Sequence, residues 1–587
     1  MNLQICVLAL LFQMGTSWLP PSATGNLWLR SPFMLPPQII ENEMFLANPP
    51  PAFIPLDNRI DVPSPTSPVP PVNAAKMSDH MFKLYFDDKN DPSLKEPEDF
   101  LEYFRHDLGV NLFHYHWHSA NPFNGPLVGN HRRGESFYYM HQQLLARYNT
   151  ERLGNGEAPI PSAHDIKELE TQIVNKYQLP HYDQVLDGGC ESSYVQMQNW
   201  TNNIIEAINQ GYAISMTNDS VPVSVDLLGN MIQPSSSTPN GELYGNAHNM
   251  GHNNIAYCHY KGKQKMNIQL LADLGDTRTA PRCPVFYRFH TYIDDLFKIY
   301  LKKLPEYTRD GLDYPGIELK GVKLITDKGP TTEINTYWQE ILMDNLYSRD
   351  KLTVEYDTPY HLQHEDFKYE FTIENHSDEN KSGTMRIFLV AKNDVKGKEI
   401  PLSAQRSLFI ELDKFRIHFP AGKSNLVRSV NESVVSVKLD EVFRSIAKGK
   451  FRMLDPEEGD FCACGWPDYF LLPRGNEEGM KFYLYAMISS EPEKLSLSYD
   501  PNYTPPNPRA IKRTACKEAY SYCGQMESEY PDPRPMGYPW DRPAPKWAST
   551  LADFLTPNML MQEITIKYTN KTVPAEPDLS DNPTVLY

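Results

Sequence analysis

Histidines in two matching sets carry the chemistry open to this sequence. The first set is His114 and His118, four apart, followed by His141; the second is His248 and His252, also four apart, followed by His290. Four residues of α-helix turn a side chain back to within about 40° of its starting direction, so both imidazoles of a pair can face one ion. A single His-x-x-x-His is more often a coincidence of surface or core than a ligand pair. Two such pairs, each followed by a third histidine in an aromatic run, point instead to two three-histidine metal sites. Neither pair has Glu beside its first histidine, which removes the zinc-protease reading. His116 falls off the face of its neighbours and, like His259, is assigned a supporting place; Trp117, Phe286 and Phe289 are read first as core.

Helices must present these rings. Pro97-Glu98-Asp99 has the marks of a helix start, proline in the first turn and carboxylates where the dipole favours them. From Gly134 to Leu153 the residues Phe137, His141, Leu144, Leu145 and Tyr148 share one face, which sets His141 in a buried stripe. Phe286, His290, Ile293, Phe297 and Tyr300 form the same pattern further on. Four helices can thus bring histidines together inside a bundle. Beyond about residue 310 the signal changes to short β-prone runs, Met385–Val390, Ser407–Leu412, Val434–Leu439 and Phe482–Met487, separated by turn formers. An all-β sandwich follows the helical part.

At 587 residues the chain is too long for one core. The predicted division is a signal over 1–23, a proline-rich arm or remnant domain over 24–96, a helical metal domain over 97–310 and a β-sandwich over 311–587. The signal rests on the apolar run Ile5–Phe12 with small residues after it, and no later stretch reaches the roughly 20 apolar residues that span a bilayer. Fourteen prolines between Pro20 and Pro71 forbid long helices in the arm. A formal charge of −18 argues against nucleic-acid or anionic-membrane partners. Export brings two further expectations. Sequons stand at Asn199, Asn218, Asn375, Asn380, Asn431, Asn502 and Asn570. Cys462 and Cys464 face Cys516 and Cys523 across some fifty positions, favouring two disulfides between the pairs over a zinc site, while Cys190, Cys258 and Cys283 leave at least one thiol free or intermolecular.

The residues around the histidines resemble the arthropod hemocyanin and prophenoloxidase superfamily of type-3 copper proteins. The likeness lies in Arg132-Arg133-Gly134-Glu135, Phe137 to Gln143, His248-Asn249-Met250-Gly251-His252 and Phe286-Tyr287-Arg288 before His290. It continues in Glu411 to Phe415, Cys464-Gly465-Trp466-Pro467, Tyr522-Cys523-Gly524 and Met536-Gly537-Tyr538-Pro539, and covers roughly residues 97 to 565. The resemblance implies an immunoglobulin-like C-terminal sandwich, His114, His118 and His141 on copper A, His248, His252 and His290 on copper B, and disulfides Cys462–Cys516 and Cys464–Cys523. It also implies dioxygen held between the two coppers as a bridging peroxide. Departures are the proline arm where the family has a helical domain that plugs the site, and Arg282-Cys283-Pro284 where the family has Arg-Asp-Pro.

Access then decides the function that the resemblance implies. A reachable core oxidises phenols and catechols to quinones, and this secreted phenoloxidase is the preferred reading because the covering domain is not recognised. A shielded core makes an oxygen carrier, for which homo-oligomers are the family's habit. A storage or matrix protein is the third reading, with 34 tyrosines for it and the intact ligand set against it.

Overall fold

The chain is seen here as a computed structural model that describes residues 98–121, 132–165, 167–169, 189–257, 273–340, 360–438, 465–490 and 534–574. The expected signal and arm, His259, Asn502 and the four cysteines of the expected disulfides lie outside the described residues.

Among the described residues, six helices of eight residues or more form the first unit: α1 Leu108–Ala120, α2 Arg133–Gly154, α3 Gly189–Gln210, α4 Val225–Ile232, α5 Ala247–Tyr257 and α6 Pro284–Leu301. Their ends follow local chemistry. Asp107 caps α1 by accepting from the Val110 N–H, Ser224 caps α4 in the same way, and Pro284 opens α6 at a position where no N–H is needed. Helices α2 and α4 cross at two glycines. A Cβ on Gly134 would stand 2.0 Å from the Asp226 carbonyl oxygen, and one on Gly229 would stand 2.0 Å from that of Gly134. Only glycine permits this approach, and it fixes how α2 lies in the bundle.

A helical stretch does start at the position read from residues 97–99, with a turn over Asp99–Leu101 running on into Glu102–Arg105, but the role given to Glu98 needs correction. The first turn is a 3-10 turn over Asp99–Leu101, and Glu98 does not serve a helix dipole. It is fully buried, with Oε1 at 2.9 Å from Arg152 and 3.3 Å from Arg288, while Oε2 accepts the Tyr148 hydroxyl. Since α2 supplies Arg152 and Tyr148 and α6 supplies Arg288, one carboxylate ties together the two helices that carry His141 and His290.

The second unit is a sandwich of two sheets. Its strands are β1 Ile317–Thr326, β2 Gly329–Thr331, β3 Glu333–Glu340, β4 Tyr360–His364, β5 Lys368–Asn375, β6 Lys381–Ala391, β7 Ile410–Phe419, β8 Gly422–Ser429, β9 Met480–Ser490 and β10 Met559–Val573. One sheet has the order β8-β5-β1-β2 and the other β4-β3-β10-β9-β6-β7, in which β3 and β10 run parallel and the other pairs antiparallel. Strand β5 buries Tyr369, Phe371 and Ile373 and turns its alternate residues outward, as a half-covered sheet requires. Strands β6 and β9 are buried along most of their length, which needs cover on both faces.

Two expected strands shrink. Ser407 and Leu408 fall in a 3-10 turn, so β7 starts only at Ile410, and of Val434–Leu439, whose last residue lies outside the described ones, Ser436–Val437 is the described part that pairs, with Trp466–Pro467. The sequon at Asn375 is also corrected. Asn375 is 2 % exposed and its Nδ2 donates to the carbonyls of Glu379 and Pro420, so a glycan there is incompatible with the fold. Asn199, Asn218, Asn380, Asn431 and Asn570 are exposed.

Helix α2 joins the two units. Its outer face sends Gln143 to the backbone of Phe409 and Glu411, at 2.9 and 2.8 Å, and Arg147 to the Leu471 carbonyl at 2.8 Å with its guanidinium 4.3 Å from the centre of the Trp466 ring. Its inner face carries His141.

Candidate metal centre

All six histidines of the two sets converge on one place. Helix α1 contributes His114 and His118, α2 His141, α5 His248 and His252, and α6 His290. The Nε2 atoms of His114 and His118 are 3.1 Å apart, and that of His252 lies 3.2 Å from those of both His248 and His290. The sets touch across the middle, where the His141 and His290 rings stack at 4.2 Å with 5° between planes. Ligand-capable nitrogens of His114, His118 and His141 lie within 4.8 Å of one another, and so do those of His141, His248 and His290. His141 therefore stands within reach of both sets, a centrality that spacing along the chain does not reveal.

Four of the six rings are held from behind. His114 Nδ1 bonds the Thr277 carbonyl at 2.8 Å, His141 Nδ1 that of Phe137 at 2.8 Å, His252 Nδ1 that of Leu274 at 2.9 Å, and His248 Nδ1 meets Asn249 Oδ1 at 3.0 Å. A carbonyl can only accept, so the proton of each of these rings sits on Nδ1 and Nε2 presents a bare lone pair. His141 Nε2 is buried with no hydrogen-bond partner, and the Nε2 atoms of His248 and His252 oppose lone pair to lone pair at 3.2 Å. Such an arrangement is repulsive unless a cation lies between.

A proton is a poor candidate for that cation. Burial holds His114 down to about 4, and it drives His118, His141, His248, His252 and His290 well below the usual imidazole range. Neighbouring imidazoles push the same way for the last five, whereas the Thr277 carbonyl and the Asp276 carboxylate partly offset burial at His114. A metal ion meets the demand without a proton, and neutral imidazole is a favoured ligand of copper. The donor set thus fits the implied metal.

Aromatic rings close the walls. Phe286 lies 5.1 Å from His114 and 4.2 Å from His290 between ring centres, Phe137 packs on His141 and His248, and Phe289 on His248 and His252. Five of the six histidines are no more than 4 % exposed; His118 alone is half-buried. His116 is buried outside the cluster. Cys283, where the family has aspartate, is a buried thiol that supplies no side-chain cap to α6. The carbonyls behind the imidazoles were invisible in the sequence, because main-chain groups carry no letter; Asn249, beside His248, was the one legible partner.

A bundle holding six convergent imidazoles in front of an immunoglobulin-like sandwich is the architecture of a type-3 copper protein. The copper-containing domain of hemocyanin matches residues 71–297, and the hemocyanin ig-like domain matches residues 306–568. Phenoloxidase 2 of Drosophila melanogaster is 35% identical over 510 residues, covering 81% of this chain and 72% of its own. Among solved structures, a scorpion hemocyanin in its activated state superposes with a TM-score of 0.65 at 31% identity, over 84% of this chain and 81% of that one. A hemolymph-type prophenoloxidase from a crustacean gives 0.62 at 25% identity, over 85% and 75%. The chain belongs to the hemocyanin and phenoloxidase family of copper proteins.

Proposed function

We propose that His114, His118 and His141 hold one copper ion, that His248, His252 and His290 hold a second, and that the centre uses dioxygen to oxidise phenols and catechols to quinones. The observation that carries this is the opposition of the bare Nε2 lone pairs of His248 and His252 in a buried cluster where four of the six rings turn their proton outward. When bound, the copper pair supplies the electrons that reduce dioxygen and the oxidising power spent on the phenol. The protein does the rest. Three main-chain carbonyls and the Asn249 side-chain oxygen fix His114, His141, His252 and His248 in one tautomer, so these four need no reorganisation when metal enters. Phe137, Phe286 and Phe289 exclude water from the ligand side and give a planar aromatic guest apolar contact. The half-buried edge at His118 is the approach for that guest. Secretion belongs to the same proposal, supported by the apolar run at residues 5–12 and by the hemolymph-type relative.

Oxygen carriage is the second reading, and the near-complete burial of five ligands favours it. The two separate in one experiment on the full, copper-loaded chain. Catechol and monophenol are offered under air and quinone absorbance is followed, alongside reversible oxygenation. Steady quinone formation is the expected result. Reversible oxygenation with no turnover, before and after mild proteolysis, would assign the protein to carriage.

A further inference from the structure

The two metal sites share more than a wall. His114 on α1 belongs to the first set and His252 on α5 to the second, yet both are gripped by one short turn. Its Thr277 carbonyl takes the His114 Nδ1 proton and its Leu274 carbonyl takes that of His252, three residues apart. Leu274 and Thr277 are buried, so neither carbonyl exchanges its imidazole for water.

This turn is built around Asp276. The Asp276 carboxylate accepts from the Arg278 N–H at 2.9 Å and from the Arg278 guanidinium. The Asp276 carbonyl accepts from the N–H groups of Thr279 and Ala280, at 3.1 and 2.7 Å, and the Asp276 N–H reaches the Asp273 carbonyl at 3.2 Å. Thr279 closes the other end, its hydroxyl donating to the Asp273 carbonyl at 2.9 Å. Rotation of the Leu274 or Thr277 peptide therefore strains the same few bonds.

We infer that the turn from Asp273 to Ala280 is a yoke that orients one ligand of each metal site together, and that Asp276, which touches no metal, is a positioning residue for both. The inference rests on the proposed copper assignment. Loss of the carboxylate loosens both carbonyls at once, so both sites should weaken in parallel, by roughly the 10–100-fold typical when a partner behind a ligand is lost.

The test uses the full chain. Copper(I) is titrated anaerobically into metal-free protein against a chromogenic chelator, and the Nδ1–H protons of His114 and His252 are followed by NMR after 15N-histidine labelling. Asp276→Ala should lower affinity at both sites together and speed exchange of both Nδ1 protons. Asp276→Asn, which keeps an oxygen for the Arg278 N–H, should restore both. Asp553→Ala removes a similar cap in the sandwich, where Asp553 accepts from Thr550, and should leave both readouts unchanged. Weakening at one site alone, no weakening, or an Asn variant as weak as the Ala variant would overturn the yoke, the last by assigning the effect to carboxylate charge. If the wild-type chain takes up no copper, the copper assignment fails, and the two imidazole protons still decide whether the turn couples His114 to His252.

Discussion

The histidines were legible from the sequence because ligand geometry is written in spacing. Two rings four apart on a helix share a face, and two such pairs are rare enough to mean something. What holds those rings was not legible, since Thr277, Leu274 and Phe137 act through carbonyls that any residue possesses. The pH dependence of the metal-free protein follows from the same burial. His114 titrates at about 4 when folded and near 6.5 when unfolded, so between these values the unfolded chain binds more protons and stability rises with pH. The other five histidines are shifted in the same direction. His364 joins them, lowered by burial, while Asp107, pushed up to about 6 by burial, and Glu151, Asp295, Asp413 and Asp541, raised by burial as well, oppose them, five carboxylates against seven imidazoles. The urea midpoint of metal-free protein should therefore fall as the buffer is taken from pH 7 to pH 5; an unchanged or higher midpoint at pH 5 would mean that the imidazoles are not buried neutral. Glu98 gives a second expectation. Replacing it by Ala strips Arg288 of its buried carboxylate and leaves Arg152 only the exposed Glu157 at 3.7 Å, and the loss should be about 3–5 kcal/mol in equilibrium unfolding. A loss under about 1 kcal/mol would show that water reaches those guanidinium groups.

Helices α2 and α6 were read nearly to their ends, because apolar residues recur on one face of each and leave little choice of period. At the first helix start the role of Glu98 was misread for an instructive reason: Pro97-Glu98-Asp99 has the composition of an exposed cap, and only the positions of Arg152 and Arg288 reveal that Glu98 points inward. Strand β7 began late because Ser407 and Leu408 are spent on a 3-10 turn whose Ser407 carbonyl serves Gln142 of α2. The crossing of α2 and α4 offers the sharpest test of helix placement. In Gly134→Ala the new methyl meets the Asp226 carbonyl, so α4 must move or unwind, and a cost of about 1–3 kcal/mol is expected. Because α2 also carries His141, the same variant should bind copper more weakly than stability alone explains. A fully stable Ala variant would mean that the helices do not cross so closely.

The whole molecule places a metal-ready cluster of imidazoles inside a helical bundle and uses α2 as the beam between that cluster and the sandwich. The change near residue 310 from apolar stripes at helical spacing to short β-prone runs between turn formers made the two-part architecture readable. Pairing could not be read: β10, the last strand, lies between β3 and β9, and its parallel partner β3 is more than two hundred residues away in sequence. Neither could the contact of Gln143 and Arg147 with main chain around Phe409, Glu411 and Leu471, since long-range packing against backbone leaves no local pattern. That beam matters to function because His141, within reach of both sets, is fixed by whatever fixes α2.

Copper content of the folded chain after equilibrium dialysis, read together with near-ultraviolet absorption under air and under argon, bears most directly on all of this. Two copper ions per chain, with an absorption band that appears with dioxygen and vanishes without it, are expected of the wild type. His252→Ala should lose the band while keeping the helical circular dichroism. A folded wild-type chain that retains no copper above background would contradict the assignment outright.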